Sequence, residues 1–133
     1  MARINHLAIV VEDIEAALGF WHEALGLPLG KVERNDGEEV DIAFLPLGDS
    51  EIELLAPINE TSGVAKYLAK RGAGMHHLCI EVDDIHATME RLSAHRVELI
   101  NDAPKVNSEG RKYCFVHPRS TGGVLLELYE RMD

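Results

Sequence analysis

The stretch HHLCIEVDDI, His76 to Ile85, decides how the chain is read, because NHLAIVVEDI, Asn5 to Ile14, matches it almost residue for residue. His6 answers to His77, Leu7 to Leu78, Ile9 to Ile80, Val11 to Val82, Asp13 to Asp84 and Ile14 to Ile85, at a constant shift of 71 positions. A second echo closes each copy: EIELLAP, Glu51 to Pro57, is answered by LLELYER, Leu125 to Arg131, with Glu53 opposite Glu127 at a shift of 74. Each copy thus carries one histidine near its start and one glutamate near its end. A repeat this long, present twice, predicts a duplicated supersecondary unit and exceeds the periods of solenoid arrays.

Outward from these stretches, residues 3–11 are rich in β-branched side chains and read as a strand with one well-buried face. Asp13 then caps a helix whose apolar positions Ile14, Ala17, Leu18, Trp21 and Leu25 recur at three- and four-residue intervals, with Gly26 as its stop. Strands follow over 29–34, 39–47 and 51–56, joined by turns at 35–38 and 47–50. The first module, about residues 3–57, is therefore β-α-β-β-β. The connector, 58–74, holds a short Ser62-capped helix whose outer face carries Lys66, Lys70 and Arg71, a solvated run unless the ligand bears phosphates. The second module, about 75–131, repeats the first: a strand over 75–82, an Asp84-capped helix with Ile85, Met89 and Leu92 inward, and strands near 97–100, 112–117 and 123–129. Residues 101–110, with Pro104, Asn107, Ser108 and Gly110, read as an irregular, site-lining loop.

At 133 residues the chain is one domain's worth, long enough to bury roughly two-thirds of its unfolded surface without disulfides. Acidic residues outnumber basic ones 23 to 13, for a formal charge of −10, which argues against nucleic acid as a partner. Cys79 and Cys114 sit in strand-like runs without CxxC spacing, so buried thiols in a reducing compartment are expected. No apolar run reaches the ~18 residues of a membrane span, which predicts no membrane partner. The expected location is the cytoplasm, or a matrix-like compartment if a leader has been removed.

Strand parity then sorts the polar residues. Side chains alternate between the two faces of a sheet. Leu7, Ile9 and Val11 supply the helix-covered face of the first strand and leave His6 on the other; Ile52 and Leu54 do the same for Glu53, Leu78 and Ile80 for His77, and Leu126 and Leu128 for Glu127. With two modules side by side and helices outside, that shared face becomes the inner wall of a cup. Two histidines and two glutamates buried together call for a divalent cation, which balances the carboxylate charge. Imidazole plus carboxylate suits Co²⁺, Mn²⁺, Ni²⁺, Zn²⁺ or Fe²⁺, with Co²⁺ favoured, and an octahedral ion held by His6, Glu53, His77 and Glu127 keeps two cis positions open. A lone histidine on a strand is ordinarily structural; its recurrence with a glutamate in both copies is what supports a ligand set.

These residues resemble the vicinal oxygen chelate (glyoxalase/bleomycin resistance/dioxygenase) superfamily: an α+β fold of two tandem βαβββ modules forming a cup-shaped, eight-stranded mixed sheet. Within it, ELLAP (Glu53 to Pro57), MHHLCIEVDDI (Met75 to Ile85) and HPRSTGGVLLEL (His117 to Leu128) are similar to the methylmalonyl-CoA epimerases. The resemblance implies epimerisation of (2R)- and (2S)-methylmalonyl-CoA through a metal-stabilised enolate, with Glu127 as one acid/base. Asp41 is expected to serve the opposite face, since its neighbours Val40 and Ile42 share the apolar parity of Phe44. Coenzyme A is expected at the rim, on Lys105, Arg111, Lys112, Arg119, Ser120, Gly122 and Gly123. His76 is expected to be structural, His117 either to support a ligand from behind or to form a turn, and a homodimer is expected. The rival readings are a glyoxalase I-type lyase on a glutathione thiohemiacetal and a non-catalytic small-molecule binder of the same fold.

Overall fold

The computed structural model describes residues 2–132. They divide into two compact units, His6–His76 and residues 2–5 with 77–132. The eight strands pair in mixed parallel and antiparallel ladders. Among the described residues, no helix is long and apolar enough to cross a membrane.

In the unit His6–His76, β1 (Arg3–Val10) runs parallel to β4 (Ser50–Pro57), which lies antiparallel to β3 (Val40–Leu47), and β3 to β2 (Lys31–Asn35). One face of these strands, Ile9, Val11, Ala43, Leu45, Ile52 and Leu54, packs under Ile14, Ala17, Leu18 and Trp21. The opposite face carries Ala8, Val40, Ile42 and Leu55, with Phe44 and with Val64 of α2 (Gly63–Arg71). Helix α1 (Ile14–Leu18) begins as expected, with Asp13 Oδ2 accepting from the Ala16 amide at 2.9 Å. It does not continue as an α-helix. Residues Gly19–Ala24 form a π-helical segment, in which the Leu25 amide donates to the Phe20 carbonyl at 2.8 Å. The extra residue per turn rotates the sequence around the axis, so Leu25, expected on the core face, is 53% exposed. Leu27 and Leu29 pack there instead.

The other unit repeats the plan. β5 (Gly74–Val82) runs parallel to β8 (Leu126–Glu130), β8 pairs antiparallel with β7 (Lys112–Val116), and β7 with the two-residue β6 (Lys105–Val106). Helix α3 (Ile85–Ala94) is capped by Asp84 Oδ1 and buries Ile85 and Met89 against Cys114, Val116 and Leu128. The strand expected near 97–100 is reduced to one bridge, Leu99 to Val116, while the loop expected over 101–110 contains β6. Both short pieces use the same edge of β7. Between them the Asn101 side chain accepts from the Phe115 amide at 2.8 Å, substituting for a backbone carbonyl and interrupting the ladder.

Candidate active site

Each unit carries one largely buried imidazole–carboxylate pair, set on two neighbouring parallel strands. In β1, His6 is 2% exposed, and its Nδ1 lies 3.2 Å from Glu53 Oε2 of β4. The parallel register sets Ala8 beside Glu53, so the glutamate stands opposite the residue two beyond the histidine, on the same face. In β5, His77 Nε2 lies 3.1 Å from Glu127 Oε1 of β8, and the register sets Cys79 beside Glu127: again two residues beyond. The duplication read from the sequence is therefore a duplication of backbone register, with His6 presenting Nδ1 and His77 Nε2 to its glutamate. Both pairs occupy the face turned away from α1 or α3, as strand parity requires. Among the described residues no buried side-chain polar atom lacks a hydrogen-bond partner.

Around His77 and Glu127 the face is closely furnished. The His77 ring meets Phe115 edge-on at 5.8 Å, and Phe115 lies opposite Glu127 across the β7–β8 ladder. Cys79 and Cys114 are both fully buried as free thiols. Cys114, on the helix-covered side, has its thiol pushed up to about 11 by burial and then by the Glu127 charge.

The residue that sequence reasoning missed is Glu81. It shares the parity of His77, is 4% exposed, and accepts from Asn5 Nδ2 at 2.8 Å, with the Arg3 and Arg111 guanidinium groups at 3.4 and 3.6 Å. Burial works to raise its pKa; the Asn5 amide and the Arg3 guanidinium, helped by Arg111, hold it below the ordinary carboxylate value. Arg111 also lies over the Tyr129 ring at 4.9 Å. The signal available was an acid between Ile80 and Val82 in an otherwise apolar strand.

Asp41 is a correction. The β3–β4 register sets Phe44 opposite Glu53 and Ile42 opposite Leu55, while Asp41 faces Ala56. Directly opposed residues share a face, so Val40, Ile42 and Phe44 line the Glu53 side and Asp41 points to the other one. There its carboxylate takes a bidentate contact from Arg34, at 2.8 and 3.2 Å, which holds its pKa below the usual range. The sequence argument took the apolar parity of β3 for the helix-covered face; both faces of this strand are apolar.

The residues expected to hold coenzyme A fall in three places. Lys105 is on β6, opposite Tyr113. Arg111 precedes β7 and Lys112 opens it, the first committed to Glu81 and the second 3.5 Å from His86 Nε2. Arg119 and Ser120 lie on a 3₁₀ turn, Pro118–Ser120, with Gly122 and Gly123 at positive φ just beyond. The Ser120 hydroxyl accepts from the Glu98 amide, and Arg119 pairs with the Glu98 carboxylate, so both brace residues 97–99. His117 Nδ1 accepts from the Arg119 amide, the turn-forming one of its two expected roles, and His76 packs edge-on against Tyr67.

Comparison with known proteins agrees with this arrangement. The mitochondrial methylmalonyl-CoA epimerase of Mus musculus is 37% identical over 96% of this chain and 72% of its own length. The ethylmalonyl-CoA/methylmalonyl-CoA epimerase of Cereibacter sphaeroides is also 37% identical, over 96% of this chain and 97% of its own. A solved structure of a Streptomyces coelicolor methylmalonyl-CoA epimerase variant, in complex with 2-nitronate-propionyl-CoA, superimposes with a TM-score of 0.84 at 32% identity, covering 98% of each chain. Residues 5–115 match a family model, and with it the paired βαβββ units and their duplicated His–Glu pairs find their place: the chain belongs to the Glyoxalase/Bleomycin resistance protein/Dioxygenase superfamily.

Proposed function

We propose that this protein is a divalent-metal-dependent epimerase acting on (2R)- and (2S)-methylmalonyl-CoA. The observation that carries the reading is the repeated imidazole–carboxylate pair, at 3.2 Å in one unit and 3.1 Å in the other. Neutral imidazole nitrogen and carboxylate oxygen are the donors a hard to intermediate divalent ion takes, and His6, His77 and Glu127 form a group that could hold one. Glu53, beside His6, completes the set. When bound, such an ion supplies Lewis acidity to a thioester oxygen that gains negative charge as the α-proton leaves.

The chain's own residues do the rest. In this reading Glu127 accepts the α-proton. At 6% exposure its carboxylate is shielded from bulk water. Inversion needs a second proton donor on the opposite face of the planar enolate, and Asp41, turned away and held by Arg34, does not supply it. Glu81 anchors Arg111 next to Tyr129, leaving the Arg3–Arg111–Glu81 cluster one positive charge in excess on the His77 face, which suits the single carboxylate of a methylmalonyl thioester.

The test is deuterium wash-in at the α-carbon of methylmalonyl-CoA in D₂O with metal-loaded protein, followed by mass spectrometry. Exchange without net product is expected, lost on chelation and restored by Co²⁺; Glu127→Gln lowers the rate by roughly 10²-fold or more, the size of a lost general base. Metal-loaded protein that leaves the α-proton untouched, while converting a glutathione thiohemiacetal, would transfer the chain to the lyase reading.

A further inference from the structure

The two histidines differ in one respect that the repeat does not explain: His6 turns Nδ1 to its glutamate and His77 turns Nε2. Rotation about the last torsion of a histidine side chain is soft and roughly two-fold. A half-turn of the His77 ring exchanges Nε2 for Cε1 and sets carbon against Glu127, so a neighbour has to hold the ring. The ring of Phe115 stands beside it, edge-on to the imidazole at 5.8 Å. His77 is on β5 and Phe115 on β7, with β8 and Glu127 between them. Two strand spacings amount to about 10 Å, so both rings lean inward and close over the carboxylate from either side.

Phe115 is itself fixed by the irregular segment that follows α3. Its N–H donates to Asn101 Oδ1 at 2.8 Å, and its carbonyl accepts from the Ile100 amide at 2.9 Å. Both backbone groups therefore point away from β8, which makes Phe115 and Glu127 a non-hydrogen-bonded pair, the kind whose side chains stand closest. Tyr113, two residues earlier on the same face, meets Phe115 edge-on at 6.2 Å and backs it. In the unit His6–His76 the corresponding residue, Phe44, also lies opposite a glutamate, Glu53, but there the Lys31 ammonium covers the ring at 4.9 Å. The repeat supplies the same ring twice. It is used differently in the two units, and the imidazole nitrogen presented differs with it.

We infer that Phe115 is a positioning residue for His77, holding the imidazole with Nε2 toward Glu127, and that Asn101 acts through Phe115. The inference rests on the reading of His77 and Glu127 as metal donors. Co²⁺ alone, titrated calorimetrically into metal-free protein, is the probe, and F115L, which keeps bulk but not the ring, is the first variant. Its affinity for Co²⁺ is expected to fall by about tenfold or more, the usual cost of loosening a ligand's support, while F115Y stays within about twofold of the parent. N101A is expected to weaken Co²⁺ in the same direction, and N101D, which keeps an acceptor for the Phe115 amide, to recover it. An unchanged affinity in F115L, or in N101A should F115L not fold, overturns the inference, as does an equal loss in F115L and F115Y. A parent that binds no Co²⁺ sinks the metal reading instead, and the ¹⁵N imidazole spectrum of metal-free protein then decides. A single His77 tautomer in the parent, with the proton on Nε2, and averaged resonances in F115L support positioning by Phe115; identical spectra overturn it.

Discussion

Glu81 shows how much a single strand residue depends on its neighbours. A carboxylate at 4% exposure survives because Asn5, Arg3 and Arg111 converge on it from elsewhere in the chain. Its folded-state pKa is depressed below the ordinary carboxylate value, so the unfolded chain binds the proton more readily. The stability it contributes is therefore complete above that value and is lost as pH falls through the lower, folded-state pKa. Glu81→Gln should melt below the parent at pH 7, and the gap in thermal midpoint should close as both are taken to pH 3; a gap that widens in acid would contradict the assignment. Asp41 provides the opposite case. Its partner Arg34 is exposed and its face is not that of Glu53, so D41N should leave kcat for epimerisation within about twofold of the parent, as surface pairs of this kind are weak. A loss of a hundredfold would restore Asp41 to the chemistry.

At the scale of elements, α1 and the π-helical segment after it decide which leucines matter. Leu54 is fully buried beneath them, and L54A should cost about 2–5 kcal/mol in denaturant unfolding. L25A, in contrast, should fall within about 0.5 kcal/mol of the parent, although an unbroken α-helix would make Leu25 a core position. The periodicity of Ile14, Ala17, Leu18 and Trp21 was legible and correct. The π turn was not, because one inserted residue leaves three- and four-residue spacings intact on either side of it. Strands β7 and β5 make a second element-scale prediction. Cys79 and Cys114 are at 0% exposure, so native protein should release no colour with a thiol reagent at pH 8, and both thiols should react after denaturation.

For the whole molecule, the prediction concerns the metal. On the proposed reading, purified protein is expected to carry one divalent ion per chain by elemental analysis, and His6→Ala and His77→Ala should each lower that content. Loss from only one of the two variants would mean that the pairs act separately. What the sequence determined by itself was the duplication, the four polar positions and their common face. Those follow from a repeat at shifts of 71 and 74 and from the strict alternation of side chains along a strand, both of which are properties of the chain read locally. Tertiary structure alone decided the rest. Asp41 could be placed only through its register with Ala56, since a strand that is apolar on both sides gives parity no reference. The buried charge of Glu81 is met only through Arg3, Asn5 and Arg111. Such partners are brought together by packing between segments far apart in sequence, and no local pattern encodes that distance.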